Sequence, residues 1–204
     1  MGFYRERLLP RLVDKACGSK ELAAWRARVT EGLSGTVVEI GFGSGLNVPL
    51  YPAAVTKVFA VEPALLARRL AQPRIDVSPV EIVHVGLDGQ SLPLADDSCD
   101  GALSTFTLCT IPDVAAALRE LRRVLKPGGQ FHFLEHGLAP GAKAGRWQHR
   151  GERMQGRLAD GCHLTRDAVA LVTDAGFVVE RFESRYTSGP KPWSYMTEGF
   201  AVAP

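Results

Sequence analysis

The stretch VVEIGFGSGLNVPLYP, residues 37–52, decides the fold. A β-branched apolar run reads as a buried strand. It passes directly into three alternate glycines, Gly41, Gly43 and Gly45. Glycine reaches φ values above zero and lets the main chain approach a ligand with no Cβ in the way. A strand, a glycine loop and a helix beginning near Leu46 form the opening unit of a doubly wound sheet. In such a sheet ligands lie at the carboxyl ends of the central strands.

The rest of the chain extends this unit. Residues 3–31 read as helical. KVFAVEP supplies a second strand, with Pro63 in the first turn of a helix through ALLARRLA. VEIVHVG and CDGALSTF are the third and fourth strands, and a helix from about Pro112 to Leu125 is stopped by KPGG. QFHFLEH is the fifth strand. A basic helical stretch over 142–158 follows, then a helix through TRDAVALVTDAG with Thr165 as its N-cap and Asp160 ordering the loop before it. FVVERFESRY and SYMTEGFAV, joined by TSGPKP, pair as an antiparallel hairpin at one edge. Parallel strands need crossovers, so the order predicts an α/β, doubly wound, Rossmann-like, seven-stranded sheet. It is mostly parallel, with one antiparallel edge strand and helices on both faces. The whole chain, 1–204, reads as one unit: an N-terminal helical segment (1–33), a ligand-binding core (34–136), a lid-like helical insertion (137–163), and a C-terminal helix and strand pair (164–204).

Composition excludes several classes. The 204 residues are 46% hydrophobic and 23% charged, enough for a substantial core. A net charge of +2 argues against bulk capture of nucleic acid. Four cysteines, Cys17, Cys99, Cys109 and Cys162, show neither CxxC spacing nor a paired framework. They fit a reduced compartment and set a zinc site aside, so no metal is expected. Neither a signal peptide nor a spanning segment is visible, which points to the cytoplasm.

The loop's spacing selects its ligand. A dinucleotide fingerprint places its third glycine where Leu46 stands. Glu39, two residues ahead of Gly41, would repel a pyrophosphate and attract an ammonium group. Glu62 ends the second strand, 21 residues beyond Gly41, where an acid takes ribose hydroxyls. A ligand with a ribose, a cationic tail and no pyrophosphate describes S-adenosylmethionine.

VVEIGFGSG, VEP, GLDGQSLPLADDSCDGALSTFTL and LRRVLKPGGQFHFLEH resemble, in order, the motifs of class I S-adenosylmethionine-dependent methyltransferases over residues 36–136. The resemblance implies that Gly41, Gly43 and Gly45 line the methionine part of the cofactor, with Glu39 near its amino group and Asn47 beside them. It implies Glu62 and Pro63 at the ribose, Asp88 and Gly89 at the adenine, and Ser104 and Thr105 close to the cofactor. Leu87 and Gln90 depart from the family's Gly-Asp-Ala-Glu stretch, which bears on side-chain contacts to the adenine amine. S-adenosylhomocysteine would be the product. A narrower likeness, through GSGLNVPLYP, TLCTIPD, FLEH, RWQ and DGCHLTRD, is to the methyltransferase-like alkyl thiol methyltransferases and their bacterial relatives. The hydrophobic N-terminal anchor of the animal proteins has no counterpart here.

The acceptor is read less closely. A small molecule is favoured: an alkyl thiol or an apolar, lipid-like compound, or alternatively a quinone, phenol or phospholipid amine. A non-catalytic S-adenosylmethionine-binding module is the reading from another class. No nucleic acid is expected, because STFTLC stands where a base-amine methyltransferase needs NPPY or DPPY. His136, ending FLEH at the carboxyl edge of the fifth strand, is the candidate base for a thiol. In the other reading, Glu135 and His136 hydrogen-bond loop backbones and fix the pocket wall. The DGCHLTR segment reads as structural, and no Cys/His pair for nucleophilic catalysis is apparent. Along residues 143–158, Lys143, Arg146, Arg150, Arg153 and Arg157 form a basic stripe beside Trp147, Met154 and Leu158. This reads either as a helix packed by Trp147 with solvated arginines, or as a lid that admits apolar acceptors or touches a membrane peripherally. Tyr4, Arg5, Arg7 and Arg11 sit where an N-terminal segment could close over the cofactor. The chain is expected to be a monomer or homodimer.

Overall fold

The structure, a computed structural model, describes residues 8–159 and 161–204, without the side chains of Ala142 and Leu158. Tyr4, Arg5, Arg7 and Asp160, named above, lie outside the described residues. The elements run α1 (Leu9–Cys17), α2 (Lys20–Thr30), β1 (Gly35–Ile40), a 3₁₀ turn (Val48–Leu50), β2 (Val55–Val61), α3 (Leu65–Ile75) and β3 (Glu81–Gly86). They continue with β4 (Cys99–Thr105), α4 (Val114–Val124), β5 (Leu125–His136), α5 (Ala142–Leu158), α6 (Ala168–Asp174), β6 (Val178–Tyr186), a 3₁₀ turn (Lys191–Trp193) and β7 (Tyr195–Val202).

All seven strands form one sheet in the order β3-β2-β1-β4-β5-β7-β6. Pairings from β3 through β5 are parallel, and β7 is antiparallel to both neighbours. The expected hairpin stands at one edge, and its antiparallel member, β7, lies one place in from the outermost strand β6. Period-two alternation divides the core between the two faces. Val38, Ile40, Ala102, Phe131 and Phe133 pack with α4 and α6, while Val37, Leu103 and Leu134 pack with Trp25 and Val29 of α2. Chain direction reverses its spread between β1 and β4, which opens the crevice at their carboxyl ends.

Several expected boundaries move. Gly18 and Ser19 split the N-terminal helical segment, where Ser19 Oγ accepts the N–H of Leu22 and caps α2. No α-helix follows the glycine loop. Pro49 lacks an N–H, and Pro52 holds Tyr51 extended (φ −62°, ψ 131°), so a single 3₁₀ turn makes that crossover. Pro63 precedes α3, whose N-cap is Ala64. The cap of α6 is Asp167, which accepts the N–H of Ala170, whereas the hydroxyl of Thr165 donates to Glu152.

The helix α5 covers the segment expected from sequence, but Trp147 does not pack it: that ring is 59% exposed and Met154 62%. Its inward face is polar instead. Gln148 donates to the carbonyls of Gly137 (2.9 Å) and Pro192 (3.0 Å) and accepts from the N–H of Ala139 (2.9 Å). Gln155 accepts from the indole of Trp193 at 3.0 Å.

Burial predicts a contrast between two aromatic truncations. Phe133→Ala, in the fully buried core, should cost about 3–5 kcal/mol in urea unfolding. Trp147→Ala should stay within about 0.5 kcal/mol of the parent. Equal losses would contradict this account of α5.

Candidate active site

The crevice between β1 and β4 is built around buried polar groups. Glu39, near the end of β1, is 1% exposed. It accepts from Asn47 Nδ2 at 2.8 Å and from the hydroxyl of Tyr51. Arg26, projecting from α2, donates through Nη1 to Asn47 Oδ1 (2.9 Å) and Thr105 Oγ1 (2.7 Å), and Asn47 Nδ2 also reaches Thr105 Oγ1 (3.1 Å). Burial raises the Glu39 carboxyl to about 7, against the pull of Tyr51, Asn47 and the Arg26 charge, which favour its ionised form.

The glycine loop hangs over this network. Gly41, Gly43 and Gly45 all have positive φ (68°, 58° and 75°). A Cβ on Gly41 would lie 1.9 Å from Thr107 Oγ1, so glycine there allows β1 and the loop after β4 to meet. Gly43 differs: its nearest neighbour would be the carbonyl of Gly41 at 3.8 Å, which leaves the main chain open to a ligand. Glu62, at the end of β2, accepts from the N–H groups of Gly43 and Ala64, both at 2.8 Å. Carboxylate oxygens carry about four acceptor positions, so Glu39 retains capacity beyond its bonds to Asn47 and Tyr51.

Two further walls complete the crevice. Asp88 is exposed and accepts from its own loop at Gln90 (N–H and Nε2, both 2.8 Å), while Gly89 packs toward Ile40 and Ile111. Ser104 and Thr105, named together from sequence, part company. Ser104 donates down to Glu135 Oε1 (2.9 Å), while Thr105 joins the Arg26 network. Phe106, next in the chain, holds φ 56° and stacks on the Arg26 guanidinium at 5.1 Å. A bulky residue in that region is strained, and strain of this kind gathers at functional sites.

Glu135 and His136 end β5. Glu135 Oε1 also accepts the N–H groups of Thr107 and Leu108, each at 3.0 Å, so this residue does fix the loop backbone. Burial nonetheless pushes its carboxyl upward. His136 Nε2 lies 3.1 Å from Cys162 Sγ. Cys162 of DGCHLTR thus meets a histidine of β5 and not its sequence neighbour. The partners stand 26 residues apart in the chain, and the neighbouring histidine, His163, turns away to Glu152 at 2.8 Å. The hydrogen bond from Cys109, reinforced by His136, holds the Cys162 thiol well below the usual range, while Cys109 itself is raised. Burial opposes a charged His136, but Cys162 and Glu135 outweigh it and raise the imidazole.

Three buried polar atoms around this crevice, Arg26 Nε, Glu135 Oε2 and His136 Nδ1, lack a partner among the described residues. Such atoms cost about 1–3 kcal/mol each and mark where a ligand or water completes the bonding. Two carboxylates, a strained aromatic and an open glycine main chain fit a cationic, hydroxyl-bearing ligand. Sequence reasoning missed Arg26, Tyr51, Phe106, Thr107 and Cys109 as site residues. Only the apolar setting of Arg26, within LAAWRARV, hinted that its charge was buried.

The comparisons agree with this geometry. A family model described as "Methyltransferase domain" matches residues 38–133. Thiol S-methyltransferase TMT1B of Mus musculus is 33% identical over 205 residues, spanning 97% of this chain and 81% of that protein. Thiol S-methyltransferase TMT1A of Homo sapiens is 29% identical over 179 residues, spanning 82% and 70%. In fold, a SAM-dependent methyltransferase from Aquifex aeolicus matches with a TM-score of 0.66 at 19% identity, covering 96% and 98% of the two chains. The chain belongs to the S-adenosylmethionine-dependent methyltransferases that act on small molecules. No helix among the described residues is long and apolar enough to cross a membrane.

The raised carboxyl of Glu39 carries a pH signature. Its folded-state value of about 7 exceeds the ordinary 4.5, so its share of stability is fully present below 4.5 and is lost as pH rises toward 7. The loss is at most about 3 kcal/mol, from 1.36 kcal/mol per pKa unit. Urea unfolding of the parent minus Glu39→Gln should fall across that window, and a pH-independent difference would refute the assignment.

Proposed function

We propose that the chain transfers the methyl group of S-adenosylmethionine to the sulfur of a small apolar thiol. One observation carries the choice of acceptor. Similarity to the mouse thiol S-methyltransferase spans 97% of the chain, so it extends past the 38–133 core into the segments beyond β5 that face the acceptor side. A thiolate is a strong nucleophile, so the chemistry needs little beyond removal of the thiol proton, which an imidazole can accept. When bound, the cofactor supplies an electrophilic methyl group on a sulfonium, and the protein supplies alignment.

In this reading the main chain of Gly41, Gly43 and Gly45 borders the methionine end, and Glu39 takes its ammonium with Asn47 and Tyr51 holding the carboxylate. Glu62 and Pro63 serve the ribose, Asp88 and Gly89 the adenine, and Thr105 and Phe106 the side next to the acceptor. Ser104 supports them through Glu135. His136 is the group at the acceptor end. Past the end of β5, a groove of about 500 Å³ lined by Leu138, Pro140, Arg146, His149, Asp167 and Tyr195 offers an acceptor both apolar walls and charged groups.

Calorimetric titration with S-adenosylhomocysteine tests the cofactor half. Gly43→Ala should weaken binding about tenfold or more, roughly 1.4 kcal/mol; no neighbour is displaced, so stability should fall only by the roughly 1–2 kcal/mol that alanine costs at a φ of 58°. A panel of alkyl thiols, phenols, amines and quinols with labelled methyl donor tests the acceptor half. Thiols should turn over fastest, and a clear preference for another class sinks the thiol assignment.

The exposed face of α5 supports peripheral membrane contact, since Trp147 and Met154 stand in solvent among Arg146, Arg150 and Arg153. Sedimentation with phosphatidylserine vesicles should fall strongly for Trp147→Ser combined with Arg150→Glu. Unchanged sedimentation, or none by the parent, removes this part of the reading.

A further inference from the structure

Cys109, His136 and Cys162 come from three separate segments: the loop after β4, the end of β5 and the loop after α5. Their ligand atoms all lie within 4.8 Å of one another. Both thiols are buried, at 2% and 5% exposure. The segments are tied together by bonds that do not use these side chains. The N–H of His163 donates to the carbonyl of Cys109 at 2.8 Å, and Arg166 Nη1 donates to the carbonyls of Leu108 and Ile111. Glu152 of α5 accepts from the N–H of Leu164 (3.1 Å) and the hydroxyl of Thr165 (3.1 Å), which pins the Cys162 loop from the other side. The cluster is therefore held in place by its surroundings.

We infer that Cys109, His136 and Cys162 form a three-ligand site for a thiophilic divalent cation, zinc in the first instance. Tetrahedral zinc with bonds of about 2.3 Å to sulfur and 2.0–2.1 Å to nitrogen sets its ligand atoms roughly 3.5–3.8 Å apart. In the observed cluster the Cys162 Sγ–His136 Nε2 pair, at 3.1 Å, must open by a few tenths of an ångström, and no pair, all lying within 4.8 Å, must close by more than about 1.3 Å. Two thiolates balance a divalent charge, so the loaded site is neutral, as a buried site requires. Loading forms two metal–sulfur bonds and one metal–nitrogen bond, and the thiol protons pass to solvent. Two cysteines and one histidine with the fourth position open is a catalytic rather than a structural zinc arrangement.

The metal site stands on this geometry alone, while the fourth ligand rests on the thiol reading given above. An acceptor thiol entering the fourth position would bond to the metal through sulfur and lose its proton to solvent, because a coordinated thiol is held as thiolate. The site would thus present the acceptor in its nucleophilic form at the carboxyl ends of β4 and β5.

The test uses the full chain, purified under a phosphine reductant. Metal analysis after gel filtration should find close to one zinc per chain, falling at least several-fold in Cys109→Ser, His136→Ala and Cys162→Ser. Cobalt added to the metal-depleted chain should give thiolate-to-cobalt charge-transfer absorption, which these variants lose. Zinc should also shield two thiols of the unaltered chain from maleimide until a chelator is added, a reading that does not depend on any variant folding. Cobalt binding without charge transfer overturns the site. So does shielding relieved by reductant alone, which would identify a disulfide between Cys109 and Cys162. Ethanethiol added to the cobalt form should shift its visible bands. A shift with no methyl transfer keeps the open site and rejects the acceptor, and an unmoved spectrum rejects the open fourth position.

Discussion

The guanidinium of Arg26 joins three parts of the molecule at one point. It leaves α2, enters the crevice between β1 and β4, and bonds to Asn47 of the glycine loop and Thr105 at the end of β4. A charge at 5% exposure is costly unless paired and hydrogen-bonded. Glu39 supplies the opposite charge nearby, at the end of the strand that begins the loop. Desolvation works against both charges, and each favours the ionised form of the other. The helix α2 is thus built into the crevice and is not a separate cap.

The same economy governs the glycine loop. Gly41 has no side chain because Thr107 occupies that space, and Gly43 has none where the main chain stands open. Two glycines of one motif meet different constraints, one internal and one external. Glu62 joins these roles by gripping the amide of Gly43, so the acid at the end of β2 also sets the loop's shape.

The sheet was legible because it depends on local signals. TVVEI, KVFAV and VEIVHV carry β-branched runs, and the alternation of strands and helices requires a parallel arrangement. Spacing also singled out Glu39 and Glu62, since both lie at fixed distances from Gly41. What stayed hidden was set by tertiary approach. No periodicity brings Cys162 to His136 or Arg26 to Thr105, which are 26 and 79 residues apart. The missing helix after Gly45 is a different failure, since Pro49 and Pro52 were in plain view and their combined effect outweighed the analogy with nucleotide-binding loops. Thr165 failed as a cap because a buried-facing carboxylate, Glu152, competed for its hydroxyl.

The inward side of α5 has a consequence for motion. A helix bedded on apolar side chains leaves its seat only when the core opens with it, whereas this one is held by Gln148, Glu152 and Gln155. Each such bond contributes about 1 kcal/mol net, since water replaces it readily. The helix is therefore tied down by bonds that water can replace one at a time, without opening the apolar core.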